Sequence, residues 1–234
     1  RIAACIPMHT FGLPCRIKEI SNLCSNWGIP MIEDAAESLG SIVNNKHTGT
    51  FGQMATLSFN GNKIITTGGG GMIITDDFDL AKRAKHITTT AKVPHLYEFI
   101  HDEIGFNYRL PNLNAALGCA QMERLDEILS IKANLAHRWG ELFERQNVKL
   151  CRPTIGNTTN NWLNAIVFES KLDRDKFLKY TNDNGVMTRP IWHLMSGLTM
   201  FKDCQRDELK NSTWLQDRVV NIPSSVPYGT LSKQ

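Results

Sequence analysis

Long apolar runs are missing from this sequence; none approaches the roughly 20 residues that a membrane-spanning helix needs, so no membrane association is expected. An excess of one charge is missing as well. Lys and Arg number 26 against 23 Asp and Glu, a formal charge of +3, and the basic residues are scattered. That scatter excludes the basic stripe a nucleic-acid partner requires. The six cysteines, Cys5, Cys15, Cys24, Cys119, Cys151 and Cys204, include no CxxC pair and no histidine at zinc-ligand spacing. No metal site is expected, and the thiols read as reduced and mostly buried. The first residues do not form a signal peptide, which predicts a cytoplasmic protein. Repeats and low-complexity tracts are absent too. An initiator Met is lacking, and an apolar run opens at Ile2, so the sequence is expected to begin inside a domain.

What is present is material for a core: 41% hydrophobic residues over 234 positions, enough for one or two domains. Short apolar runs alternate with helical or glycine-rich stretches as far as Thr75. Ile2–Met8, Pro30–Glu33, Met54–Phe59 and Met72–Thr75 read as strands, and Ile17–Trp27 carries a helical apolar period closed by Gly28. This is the βαβ pattern of an α/β fold with a mostly parallel sheet. Asp34 and Lys63 both fall just after strand ends, where open α/β sheets bind ligands.

Further along, Asp76–Thr90 reads as a surface helix, and Asn112 to Gln146 as one or two long helices without internal proline. Strand-like Trp162–Phe168, a helix near Asp173–Asn184 and strand-like Val186–Arg189 then predict a smaller α+β domain. The expected division is a large-domain portion over 1–111, connecting helices over 112–147 and a small domain over 148–234.

Three segments carry candidate chemistry: Ile32-Glu33-Asp34-Ala35-Ala36-Glu37-Ser38, Ser58-Phe59-Asn60-Gly61-Asn62-Lys63, and Gly105-Phe106-Asn107-Tyr108-Arg109-Leu110. Each alone has an ordinary reading. Asp34 could cap a helix, Lys63 could be a solvated loop lysine, Ser58 a strand-end hydroxyl satisfied by backbone, and Asn107 a turn residue. The run Gly68 to Gly71 lacks the Lys-Ser/Thr ending of a P-loop and reads instead as room for close backbone approach.

In this order and spacing the segments resemble the DegT/DnrJ/StrS family of sugar aminotransferases. Pro7-Met8-His9-Thr10-Phe11-Gly12, Gly49-Thr50-Phe51-Gly52 and Arg189-Pro190-Ile191-Trp192-His193 extend the likeness over most of the chain. The resemblance implies the pyridoxal-phosphate-dependent transferase fold (fold type I) and a homodimer with shared active sites. It implies transamination of a nucleotide-linked 4-keto-6-deoxy sugar to the 4-amino sugar, with glutamate as donor, in surface polysaccharide or glycan synthesis. Lys63 is implied as the covalent cofactor residue, Asp34 as partner of the pyridine nitrogen, Ser58 as a phosphate ligand, and Asn107 as a phosphate ligand in the neighbouring subunit's site.

Glu37 stands where many members carry Gln, and an ionised Glu cannot donate to the cofactor's phenolic oxygen. It would have to be protonated or held by a nearby cation. His9, Arg109, Arg189, Trp192 and His193 are candidate substrate contacts, the arginines because a guanidinium fork suits diphosphate or carboxylate. Structural packing or ion pairing is the competing reading for each. The wording of the EDAAES and SFNGNK segments is closest to the branch acting on UDP-linked N-acetylated sugars. The family's Ser-Gly-Thr phosphate segment has no counterpart here, so the sequence is expected to be N-terminally incomplete. Two alternatives stay open: a sugar dehydratase of the same family, which carries His in place of the lysine, and a truncated, non-catalytic cofactor-binding domain.

Overall fold

The computed structural model describes residues 2–146, 148–227 and 229. Contacts group Arg1–Ser130 with Pro153–Trp162 as one compact unit, and Ile131–Arg152 with Leu163–Gln234 as a second.

In the first unit, β1 (Ile32–Asp34) pairs in parallel with β4 (Met54–Ser58), which pairs antiparallel with β5 (Gly71–Ile74). The expected strand over Ile2–Met8 runs parallel to β1 but is reduced to bridges at Cys5 and Met8. Pro7 explains the interruption. Cys5 N–H donates to Pro30 O and His9 N–H to Asp34 O, but Pro7 between them has no N–H to give. The sheet is thus parallel on one side of β4 and antiparallel on the other.

Helix α1 (Ile17–Asn26) buries Ile17 and Cys24 against Met31 and Val43, with Cys5, Ile20 and Phe51 packed around them. A smaller antiparallel sheet joins β2 (Ile42–Val43), β3 (Lys46–His47) and β9 (Asn157–Thr158). Because β9 lies so far along the chain, this sheet ties residues 157–162 to the first unit. Helix α2 (Phe78–Thr88) starts where the Asp77 carboxylate accepts the Asp79 and Leu80 N–H groups, the ordinary acidic cap. The pair β6 (Lys92–Val93) and β7 (Ile100–His101) follows, then α3 (Asn112–Met122). Despite its helical apolar spacing, α3 has no buried residue.

Helix α4 (Leu125–Glu144) is shared between the units. In the second unit the antiparallel sheet order is β11 (Arg189–Pro190), β12 (Val219–Ile222), β10 (Asn164–Val167), β8 (Lys149–Leu150). Helix α5 (Lys171–Asp183) begins two residues before its expected start because the Ser170 hydroxyl caps the Asp173 N–H. Phe143, Ile166, Val220 and Ile222 form this unit's core, with Trp139, Phe168 and Phe177 against them. A short helix α6 (Lys210–Gln216) precedes β12. No helix among the described residues is long and apolar enough to cross a membrane.

A buried carboxylate organises the first sheet. Glu33, in the middle of β1, has no solvent exposure, and its oxygens accept from His9 Nε2 at 3.0 Å, Gly49 N–H at 2.8 Å, Gly52 N–H at 2.8 Å and Phe51 N–H. Gly52 is required for this approach, since a Cβ there would stand 2.7 Å from Met31 O. Burial alone would raise the Glu33 carboxyl, but the His9 bond and the three backbone donors outweigh it and hold the group below its usual range.

Glu33→Gln replaces two accepting oxygens by one and turns an NH2 toward N–H donors. The expected loss is about 2–4 kcal/mol at neutral pH, read from urea unfolding. Because the folded carboxyl lies below its unfolded value of 4.5, this contribution is present above that value and disappears as pH falls through the folded one. The gap between the two proteins therefore narrows in acid; equal stability at neutral pH would contradict the assignment.

Candidate active site

Strand β1 ends at Asp34, whose carboxylate turns back to accept the Ala36 N–H at 3.1 Å. The turn that follows brings Glu37 inward to 9% exposure. One Glu37 oxygen accepts the Phe11 N–H at 2.7 Å. Phe11 is buried and sits at φ +62°, a left-handed conformation that is costly for a bulky side chain. That cost aims its N–H at the carboxylate.

The other Glu37 oxygen lies 3.8 Å from Lys63 Nζ. Burial pushes the Glu37 carboxyl up; the Phe11 N–H and the Lys63 charge pull it down without cancelling the rise, and nearby Asp34 adds to it. Of the two options open to a Glu here, the pairing with a cation is realised.

Lys63 follows β4 through a tight turn in which its own N–H bonds to Asn60 O at 3.0 Å. Its ammonium stands 4.1 Å from the centroid of the Trp162 ring, well within cation–π range. Trp162 is 4% exposed, and its Nε1–H donates to Asn62 O at 2.5 Å, the carbonyl just before Lys63.

In the sequence Trp162 reads as the start of a strand and carries no signal for a part in the site, and its neighbour Asn160 carries none either. Asn160 Nδ2 donates to Glu37 O at 2.8 Å and Leu39 O at 2.9 Å, while its Oδ1 accepts the Trp162 N–H at 2.8 Å. Gly12, at φ +84°, makes room for it: a Cβ there would fall 1.9 Å from Asn160 Oδ1. The Asn160-Asn161 pair is a turn signal, and Asn161 does adopt φ +51°, but nothing local announces partners some 120 residues earlier.

The remaining candidates are distributed unevenly. Ser58 sits at the end of β4, its Oγ in one long bond at 3.4 Å from Asn60 N–H. His9 is a correction. It is fully buried, with Nδ1 accepting the Cys15 N–H at 3.2 Å and Nε2 on Glu33, so it holds the sheet together and presents no polar atom to a substrate.

Asn107 is exposed on a segment bonded to the end of α2, where Phe106 N–H meets Ile87 O and Tyr108 N–H meets Thr88 O. Arg109 is exposed and, with Gly68–Gly71 and Tyr108, lines a cavity of about 1230 Å³ whose lining does not include Asp34, Glu37, Ser58 or Lys63. Arg189, Trp192 and His193 belong to the second unit and are exposed. Arg189 Nη1 donates to Asn182 Oδ1 and Thr188 O, both at 3.1 Å.

The thiols also depart from expectation, because Cys119 and Cys204 are exposed and only Cys24 is buried. Burial pushes Cys15 and Cys151 up to about 11, which makes them poor nucleophiles. His86, Asp102 and Glu103 converge within 4.8 Å, but Arg83 pairs with Glu103, so the group reads as an exposed ion-pair cluster.

Residues 1–230 match the family model described as the DegT/DnrJ/EryC1/StrS aminotransferase family. The putative pyridoxal phosphate-dependent aminotransferase EpsN of Bacillus subtilis is 36% identical over 190 residues, covering 81% of this chain and 49% of the relative. GDP-perosamine synthase of Caulobacter vibrioides is 33% identical over 228 residues, covering 96% of this chain and 61% of the relative. Among solved structures, a DegT DnrJ EryC1 StrS aminotransferase from Brucella abortus superposes with a TM-score of 0.87 at 26% identity, covering 95% of this chain and 59% of that one. The chain thus spans between 49% and 61% of the length of these proteins. Its fold is that of the pyridoxal-phosphate-dependent transferases of fold type I, and the chain belongs to the DegT/DnrJ/EryC1/StrS aminotransferase family.

Proposed function

We propose that this chain carries the lysine-bearing part of a pyridoxal-phosphate-dependent aminotransferase, which converts a nucleotide-linked 4-keto-6-deoxy sugar to the 4-amino sugar with glutamate as donor. One observation carries the reading. At the end of β4, the Lys63 amine is held between the Glu37 carboxylate and the Trp162 ring, and Asp34 ends the adjacent parallel strand.

The donor set suits this cofactor. It comprises an amine for an aldehyde, a carboxylate at a strand end for a protonated ring nitrogen, and a lightly engaged hydroxyl at Ser58 for a phosphate. When bound, pyridoxal phosphate supplies an aldehyde that condenses with amines and a ring that withdraws electrons from the carbon bearing the nitrogen.

The protein's residues do the rest. Lys63 Nζ would bind the cofactor covalently and, once displaced by the amino donor, would move a proton between the substrate carbon and the cofactor's C4′ in each half-reaction. Asp34 holds the proton on the ring nitrogen by its charge. Glu37 acts as the counter-ion of Lys63, in place of a neutral amide donor. Ser58 binds phosphate from within the chain and Asn107 from a partner subunit, in a cytoplasmic homodimer with shared sites. Arg109, Arg189, Trp192 and His193 are the proposed contacts to the sugar nucleotide or the donor carboxylate.

The wording of residues 33–38 and 58–63 supports a UDP-linked N-acetylated sugar, while the Caulobacter relative's name points to a GDP-linked one. Turnover of UDP-, GDP- and dTDP-linked 4-keto sugars separates these, with the UDP-linked sugar expected to be preferred and equal rates rejecting that choice. The dehydratase alternative is opposed by Lys63, which stands where a dehydratase carries His.

The core of the proposal is tested by the visible spectrum of the full-length protein with pyridoxal phosphate, before and after glutamate. Lys63→Ala is expected to lose the lysine-dependent band and at least about 99% of turnover, as removal of a covalent and proton-transferring group does. Unchanged colour and activity in that variant would reject the reading.

A further inference from the structure

Neither the proposed reaction nor the family likeness assigns a task to Trp162, yet it is tied to Lys63 in two ways. The indole face lies 4.1 Å from the ammonium, and the indole N–H fixes the carbonyl of Asn62 at 2.5 Å. One ring therefore restrains both the base and the tip of the same lysine.

The ring is itself held. Its backbone N–H is pinned by Asn160, whose amide also clamps Glu37 O and Leu39 O, and the Asn160 N–H meets Ser41 Oγ at 3.0 Å. Glu37, on the far end of that clamp, supplies the charge paired with Lys63. The charged groups around the amine are thus Glu37, with Asp34 acting on Glu37, and the Trp162 ring is an uncharged, electron-rich wall.

A free lysine side chain has four rotatable bonds, and immobilising it costs rotamer entropy. A ring face and a carboxylate, both already buried and bonded, supply that order before any ligand arrives.

We propose that Trp162 is a positioning residue for Lys63: its ring face and its bond to Asn62 hold the amine in one place beside Glu37. The proposal rests on the reading of Lys63 as the cofactor lysine, and it makes a prediction that needs no cofactor. In the full-length, cofactor-stripped protein, Lys63 is shielded from acylating reagents by the ring and the carboxylate.

The test is brief acetylation with acetic anhydride at one fixed pH, with Lys63 quantified by peptide mass spectrometry against exposed Lys82. Trp162→Phe keeps a ring face, whereas Trp162→Met, nearer to Phe than to Trp in volume, has none. The Met variant is expected to raise the Lys63-to-Lys82 ratio by about threefold or more, in line with loss of a cation–π contact, and the Phe variant to stay within about twofold of the unaltered protein. If Trp162→Met fails to fold, as judged by its thermal melt, Trp162→Leu serves the same comparison.

Phe and Met variants that behave alike, whether both unchanged or both raised, would overturn the proposal, because the ring face would then contribute nothing to holding Lys63. Failure of the functional reading shows elsewhere, as unchanged colour in Lys63→Ala. A positioning role also predicts that turnover of the loaded protein follows the same order, Phe above Met, at similar melting temperatures.

Discussion

Two buried carboxylates, Glu33 and Glu37, draw distant segments of the first unit together. A carboxylate out of water is tolerable only when its oxygens are met by donors or a cation. Glu33 gathers four donors and Glu37 an N–H and an ammonium. Each bond reaches far along the chain, so meeting these demands brings the 9–12 loop, the 49–52 turn and the 60–63 turn to the end of β1. The left-handed Phe11 and the crowded Gly12 are local costs of that convergence.

Much of this frame was legible from periodicity. The strands at 32–34, 54–58 and 71–74, the helices α1, α2 and α5, and the position of Lys63 beyond a strand end all follow from short apolar runs and turn residues, whereas Asp34, expected just past its strand, is the last residue of β1. Element ends moved by a residue or two where a cap decided them, as at Asp77 and Ser170. The direction of β5 was not legible, because parallel and antiparallel partners of a short buried strand carry the same apolar pattern. Nor were the pairs β2–β3, β6–β7 and β8, which are two residues long and leave no period to read.

At the candidate site, residue identity carries the proposed chemistry but not the geometry. Lys63 and Glu37 were singled out, and the departure from Gln at position 37 was visible as a problem whose solution, a neighbouring ammonium, appears only in three dimensions. His9 shows the converse. Next to a loop it looked like a substrate contact, but its period-two alternation with Cys5 and Pro7 on the inward face, while Ile6 and Met8 point out, places it in the core. Trp162 and Asn160 are some 100 residues from the groups they hold, a distance over which a single sequence carries no pairing signal.

These ties converge on one atom, Lys63 Nζ, and on the claim that it bears the cofactor. Reducing the cofactor-loaded, full-length protein with borohydride fixes any lysine-bound pyridoxal group as a stable secondary amine, and peptide mapping then locates the added mass. The account predicts that the modification falls on the peptide containing Lys63 and on no other lysine in stoichiometric yield. Stoichiometric labelling of a different lysine, or none at all in a protein that retains its cofactor, would contradict it.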